Sequence, residues 1–255
     1  MIHDLESLRK GIGASYTKEK EDTNNIADNI LLKQFDVVIC HNIVMRKYLI
    51  DKGFVPQKVI CLEVFDYLTR CIPDHSVLTQ TPSIAVAGNL SPKKSSYVYK
   101  MIYPKEILTV HLYGVGFNQE MASDNMNYHG AFEPEELPDH LIGDFGLVWD
   151  GCSTKTCAGN TGEYLRYNNP HKMSLYLASN MPVIVWNESA LAGYVCKNNL
   201  GFAVAFLDEI SEKIRALSVK DYKVMCEAAR REGEKLRNGY YTRRAIERAL
   251  RYLKP

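Results

Sequence analysis

The chain has 255 residues, of which 46% are hydrophobic and 24% are charged, a composition typical of a soluble globular protein with a substantial core. Lys and Arg number 31 against 30 Asp and Glu, so the formal net charge of +1 argues against an extended nucleic-acid surface. No apolar run reaches the roughly 18 residues of a membrane span, and no signal peptide opens the chain. The seven cysteines are scattered and odd in number, which favours a reducing, cytoplasmic environment.

Short apolar runs alternate with segments of helical period, which is the pattern of an α/β protein with a parallel sheet. Strands buried on both faces are apolar nearly throughout. The predicted strands are Asp36–Cys40, Lys58–Leu62, Ser83–Ala87, Leu108–Leu112, Phe145–Trp149, Val183–Trp186 and Phe202–Ala205.

The helical segments follow from apolar period and from their end signals. They are Asn25–Lys33, Ile43–Asp51, Lys172–Ser179, Glu188–Lys197, Lys220–Leu236 and Thr242–Leu253. A Pro-containing break near 71–82 divides the chain into a partial first domain, 1–75, and a fuller second domain, 83–238. Residues 239–255 are predicted to form a helix that packs back on the first domain. The two strands of the first domain and their helices are too few to bury both faces of a sheet.

A small and basic loop follows the strand Ser83–Ala87. Gly88 and Asn89 would let a phosphate approach the backbone, and Lys93 and Lys94 would supply positive charge. The loop comes near the P-loop pattern, but Lys93 stands where that pattern needs a second glycine. A basic surface turn is the alternative interpretation.

The start of the helix after Asn168 is the stronger candidate for an anion site. Pro170 suits the first helical turn, and Asn169 is placed to cap it. The free amides of that turn, with His171, Lys172 and Ser174, could hold a negatively charged group. An ordinary capped helix with a solvated lysine is the alternative.

Further candidates lie at strand ends and near the amino terminus. Asp150 follows a strand and could contact a sugar hydroxyl or cap the next turn, and Tyr113 could stack on a flat base or belong to the core. Asp4 or His3 could act as a general base, and Arg9 could steady a phosphate. A purely structural role is the alternative for His3, Asp4 and Arg9. No zinc-type ligand spacing accompanies the neighbouring cysteines at 152 and 157.

Taken together, these stretches resemble bacterial β-1,6-galactofuranosyltransferases of O-antigen synthesis and the related glucosyltransferases that extend sugars on streptococcal adhesins. The resemblance runs over essentially the whole chain and is most specific at Asn168-Asn169-Pro170-His171-Lys172. It also includes the segments His3–Arg9, Asp36–Asn42, Phe65–Leu68, Ala87–Leu90 and Gly146–Gly151. Similar residues around Cys157, Gly159, Gly162 and Tyr164 favour the galactofuranosyltransferase branch.

The resemblance implies a GT-B fold, with two Rossmann-like domains facing a cleft and the amino-terminal one truncated. It implies a UDP-sugar as donor, a lipid-linked glycan as acceptor, inverting transfer, and no metal or other cofactor. The diphosphate would be held by Lys93 or Lys94 and by Lys172, the uracil would lie near Tyr113, and Asp4 is our choice for the catalytic base. A cytoplasmic protein at the inner membrane face, with peripheral association or homo-oligomers, is expected.

Two other functions remain open at this stage. The truncated first domain is compatible with a catalytically silent UDP-sugar-binding protein or assembly partner, which would bind the donor without turnover. A P-loop nucleotide hydrolase is the weaker alternative, because it would need a glycine at the position of Lys93.

Overall fold

The computed structural model describes residues 1–11, 26–70, 72–75 and 77–253, and within them the strands form two parallel sheets. The smaller sheet pairs β1 (Val38–Cys40) with β2 (Val59–Cys61), and Val38 lies opposite Val59. The backbone amide of Ile2 donates to the carbonyl of Ile39 at 2.8 Å, so the start of the chain runs beside β1.

The larger sheet is built from the strands of the second half of the chain. Within the described residues its order is β5-β4-β3-β6-β7-β8, and every pairing is parallel. All carboxyl ends therefore meet at one edge, where open α/β sheets bind ligands. The strands are β3 (Ser83–Ala87), β4 (Thr109–Tyr113), β5 (Met126–Tyr128), β6 (Phe145–Val148), β7 (Val183–Trp186) and β8 (Gly201–Val204).

Helices cover the faces of this sheet and connect the two halves. In chain order they are α1 (Glu6–Gly11), α2 (Ile43–Asp51), α3 (Pro92–Ser95), α4 (Leu137–His140), α5 (Gly159–Tyr164), α6 (His171–Ala178), α7 (Ala192–Lys197), α8 (Ile210–Ala216), α9 (Val219–Arg237) and α10 (Tyr240–Leu253). No helix of the described part of the chain combines the length and apolarity needed to cross a membrane.

Helix α6 packs closely on the sheet because β6 has a glycine at the contact. A Cβ at Gly146 would lie 2.0 Å from the ring of Tyr176, so no larger residue fits there without movement. The hydroxyl of Tyr176 accepts from the amide of Ala87 at 2.8 Å, which ties the helix to the end of β3. These contacts fix the start of α6 near the carboxyl edge of the sheet.

The last helix lies against the first sheet. At its start, the amide of Tyr241 donates to Asp66 Oδ1 at 3.1 Å. Further along, Arg244 and Arg248 contact the carboxylate of Glu63 at 3.4 and 3.6 Å. The carboxyl-terminal segment thereby connects the six-stranded sheet to the loop after β2.

Several predicted elements differ from the structure. The helix predicted over Asn25–Lys33 is a short helical turn at 26–29 followed by a 3-10 turn at Leu31–Gln34, and Asn25 lies outside the described residues. The helix predicted from Glu188 begins only at Ala192. Strand β5 and the short helices α1, α3, α4 and α5 were not predicted. The remaining strands and long helices agree with the predictions to within a few residues.

Candidate active site

The carboxyl edge of the large sheet opens into a cavity of about 390 Å³ between the two halves of the chain. Six of the eleven residues predicted for the site line it, namely Asp4, Gly88, Lys94, Asp150, His171 and Lys172. Arg9 and Tyr67 of the first half also contribute to the wall. The cavity is therefore formed by segments far apart in sequence.

Gly88 brings the backbone after β3 to the cavity. Its φ of +137° is a conformation that side chains rarely adopt, and its amide donates to the carbonyl of Tyr113 at 2.9 Å. The next strand approaches equally closely, because a Cβ on Gly114 would lie 1.8 Å from the carbonyl oxygen of Gly88. Both lysines of α3 are exposed, but Lys94 lines the cavity and Lys93 does not.

The start of α6 supplies a second cationic side chain. Lys172 is half-buried, and its ammonium group donates to the carbonyl of Trp149 at 2.8 Å, so its position is fixed at the end of β6. His171 stacks on Phe65 with ring centroids 4.3 Å apart. Burial, together with the charge of His3, lowers the pKa of His171 below its ordinary value, which favours the neutral ring near pH 7.

Asp150 is held at the cavity wall by two donors. Its Oδ1 accepts from the backbone amide of Gly151 at 2.8 Å and from the hydroxyl of Thr161 at 3.0 Å. Both bonds use the same oxygen, which leaves the second carboxylate oxygen available to a ligand hydroxyl.

Asp4 brings a carboxylate from the first half of the chain to the lining of the cavity. Its side chain is 37% exposed and lies 3.5 Å from the guanidinium of Arg9. Tyr164 stands beside it, with its hydroxyl accepting from the amide of Leu5 at 2.9 Å. Burial and the charge of Asp4 raise the pKa of Tyr164, which keeps the phenol protonated. A partly exposed carboxylate in such a cavity can accept a proton from a bound hydroxyl group.

Tyr113 does not reach the cavity. Its side chain is fully buried, stacks on His129 at 4.8 Å and accepts from the amide of Ile142 at 2.9 Å. Because the ring is buried in the core, the predicted stacking on a base is not possible in this arrangement.

Asn169 does not cap α6 as predicted. Pro170 occupies the N-cap position without a side-chain hydrogen bond. The buried amide group of Asn169 instead donates to the carbonyls of His41 and Glu63 at 2.9 and 3.1 Å, and its backbone amide donates to His41 Nδ1 at 3.0 Å. Asn169 therefore forms its hydrogen bonds with residues of the first half of the chain and not with the amides at the start of α6.

The two remaining predicted residues also lie away from the cavity. Ser174 is buried in α6, with 1% of its surface exposed. Asn89 is exposed, and its side chain accepts from the amide of Ser91 at 2.9 Å, which closes a local turn. Neither residue lines the cavity.

Thr161 and Asn168 line the cavity, but the sequence analysis did not select them. Asn168 Oδ1 is buried and has no hydrogen-bond partner within the described residues, so it can accept from a ligand. Asn168 could have been selected from the sequence, because it directly precedes Asn169 and Pro170 at the start of the predicted anion site. Thr161 lies on the unpredicted helix α5 and gave no comparable signal. No group of three or more metal-ligating side chains occurs in the described ranges.

Two family models together match most of the chain. The family described as glucosyltransferase 3-like, C-terminal domain, matches residues 84–249, and the corresponding N-terminal domain matches residues 1–64. The chain is 36% identical to the β-1,6-galactofuranosyltransferase WbbI of Escherichia coli K12 over all of its own length and 71% of that protein. It is 28% identical to glucosyltransferase 3 of Streptococcus gordonii, covering 85% of this chain and 62% of that one.

Solved structures show the same fold at low sequence identity. The Staphylococcus aureus protein TarM, in complex with UDP among other ligands, superposes with a TM-score of 0.62 at 12% identity, covering 95% of this chain and 49% of that one. Anabaena HepE, in complex with UDP and glucose, gives a TM-score of 0.60 at 12% identity, covering 96% and 69%. The likeness identifies the GT-B fold that the sequence predicts.

Proposed function

Since the chain belongs to the glucosyltransferase 3-like family of glycosyltransferases, we propose that it transfers a hexose from a UDP-sugar to a hydroxyl group of a glycan. The observation that carries the proposal is one cavity with Lys94 and Lys172 on the large-sheet side and the carboxylate of Asp4 on the other. Two cations suit a diphosphate, and a carboxylate suits the removal of a proton.

The donor would lie along the carboxyl edge of the large sheet. Lys94, Lys172 and the amides at the start of α6 would hold the diphosphate, and the backbone at Gly88 would allow its close approach. As the bond from the sugar to the diphosphate breaks, these groups stabilise the negative charge of the departing UDP. The proposed reaction uses the two lysines in this role in place of a metal ion.

The acceptor would approach from the side of Asp4. Its hydroxyl attacks the anomeric carbon on the face opposite UDP, which inverts the configuration, and Asp4 takes the hydroxyl proton. Arg9 at 3.5 Å orients the carboxylate. We propose galactofuranose as the sugar, because the 36% identity to a β-1,6-galactofuranosyltransferase extends over the whole chain. Glucose is the second candidate, from the streptococcal relative.

The test is UDP release from UDP-galactofuranose and from UDP-glucose in the presence of a glycan acceptor. We expect Asp4→Asn to lower kcat by about 10²- to 10⁴-fold, as loss of a general base does. UDP affinity should remain within about threefold, because the amide keeps the shape of the carboxylate but not its basicity. Asp124→Asn is the matched control, since Asp124 is exposed and does not line the cavity.

Unchanged turnover in Asp4→Asn would contradict the role of Asp4. UDP binding by the native chain without turnover of either donor, over a range of glycan acceptors, would instead support a silent UDP-sugar-binding protein. That alternative shares the donor cavity and differs only in the missing reaction.

A further inference from the structure

Two cysteine side chains lie next to each other in the small sheet. Cys40 of β1 and Cys61 of β2 are register partners in a parallel pair, and both are free thiols. Partners in register point to the same face of a sheet, and neighbouring strands lie about 4.7–4.9 Å apart. Disulfides span Cα separations of about 4.4–6.8 Å, so the backbone already has the spacing that a bond between them needs.

The two thiols differ in access. Cys40 is completely buried, whereas Cys61 lines a cavity of about 950 Å³. This cavity is formed by α2, β2, α7 and α10, and its lining shares no residue with the candidate active site. Cys61 is therefore the more accessible of the two thiols to a small solute.

The cavity also places positive charge beside Cys61. Arg46 is anchored there by hydrogen bonds to the carbonyls of Val59 at 3.0 Å and Pro56 at 2.7 Å. Arg248 lines the same wall from α10. The neighbouring thiol of Cys40 and these two guanidinium groups lower the pKa of Cys61. The neighbouring Cys61 and burial raise the pKa of Cys40, whose thiol donates to the carbonyl of Asn42 at 3.6 Å. Reactive cysteines occur in such electropositive, partly accessible surroundings.

We propose that Cys61 and Cys40 form a peroxide-reactive dithiol, with Cys61 as the attacking residue and Cys40 as the resolving residue. The Cys61 thiolate attacks one peroxide oxygen, the O–O bond breaks, and hydroxide leaves to become water with the proton from the thiol. The resulting sulfenic acid is attacked by the Cys40 sulfur, the S–O bond breaks, and a second water departs with the Cys40 proton. Two thiols are oxidised to one disulfide, and one peroxide is reduced to two waters.

The two cysteines are close in sequence to His41 and Glu63, whose carbonyls accept from Asn169 at the junction between the small sheet and the start of α6. Cys40 precedes His41, and Cys61 is two residues before Glu63, whose carbonyl accepts from Asn169. The modification site is therefore adjacent to the contacts that hold the start of α6, although it is outside the candidate active site.

The experiment uses the reduced native chain with increasing molar ratios of hydrogen peroxide, followed by alkylation and non-reducing peptide mapping. We expect a peptide linked through Cys40 and Cys61 at peroxide ratios that leave the exposed Cys152 and Cys196 alkylatable. In Cys40→Ser the sulfenic acid should persist at Cys61 and be trapped by dimedone. Cys152→Ser is the control variant, in which the linked peptide should still form.

Oxidation of Cys152 or Cys196 before the pair, with Cys40 and Cys61 still alkylatable, would overturn the proposal. So would a dimedone adduct at Cys40 in the native chain, since the buried thiol should not react first. Both results are obtained with the native sequence, so they do not depend on whether a substituted variant folds.

Discussion

Two neighbouring lysines after β3 differ in where their side chains lie. Both are exposed, but Lys94 lines the candidate cavity and Lys93 does not. We expect Lys94→Ala to weaken UDP binding about 10- to 150-fold, because a hydrogen bond to a charged group contributes about 1.5–3 kcal/mol. Lys93→Ala, with the same change in net charge, should alter the dissociation constant less than about twofold. Titration calorimetry measures both variants, and equal losses would mean that net charge and not position determines binding.

His41 couples the stability of the chain to pH. Its ring is 1% exposed, its Nδ1 accepts from the amide of Asn169, and burial with the nearby His171 lowers its pKa to about 4. Between pH 6.5 and 4 the unfolded chain binds this proton and the folded chain does not, so the free energy of unfolding falls as the pH falls. The full loss of unfolding free energy from this group is about 3–4 kcal/mol, at about 1.4 kcal/mol per pKa unit.

Urea unfolding at pH 7.5 and pH 5 measures this effect. His41→Gln cannot take up the proton, so the loss of stability between the two values should be smaller than in the native chain. An identical pH dependence in both proteins would contradict the assignment to His41.

At the scale of elements, the side chain of Asn42 caps α2 and also contacts the segment before α6 in the second half of the chain. Its Oδ1 accepts from the amides of Val44 and Met45, and its Nδ2 donates to Asn169 Oδ1 at 2.8 Å and to the carbonyl of Tyr167 at 2.9 Å. Asn42→Ala should cost about 2–4 kcal/mol, about 1 for the cap and the rest for buried acceptors left without donors.

Ser218→Ala is the matched variant. Ser218 caps α9 through the amide of Asp221 but is exposed and makes no contact between the halves. It should cost only about 1 kcal/mol, the value of a cap. Urea unfolding measures both variants. Equal losses of unfolding free energy would mean that the contacts of Asn42 with Tyr167 and Asn169 add no stability beyond the helix cap.

The sequence predicted elements well where burial alone decides them. β6 and β7 are apolar at every position because both faces are covered, so their runs were visible. β5 was missed because its last two residues, Asn127 and Tyr128, are exposed and break the apolar pattern. Helix α5 was missed because it contains two glycines, and the backbone contact of Gly162 with Cys157 that requires one of them is visible only in three dimensions.

At the scale of the whole molecule, the candidate site depends on contacts that the sequence does not encode locally. The residues at the turns after β3 and β6 and at the start of α6 could be selected from sequence, because strand ends in a parallel sheet meet at one edge. The inward orientation of Tyr113 and the recruitment of Asn169 by His41 depend on packing between distant segments. Which of Lys93 and Lys94 faces the cavity likewise follows from how α3 sits on the sheet.

The central claim is that the cavity between Asp4 and Lys172 binds the diphosphate of a UDP-sugar. Titration calorimetry of the purified chain with UDP, without added metal and with Lys172→Ala as the comparison, tests it most directly. We predict micromolar-range binding that the substitution weakens by about 1.5–3 kcal/mol, the value of a charge-assisted contact. Absence of binding by the folded chain, or equal affinity in Lys172→Ala, would contradict the donor site.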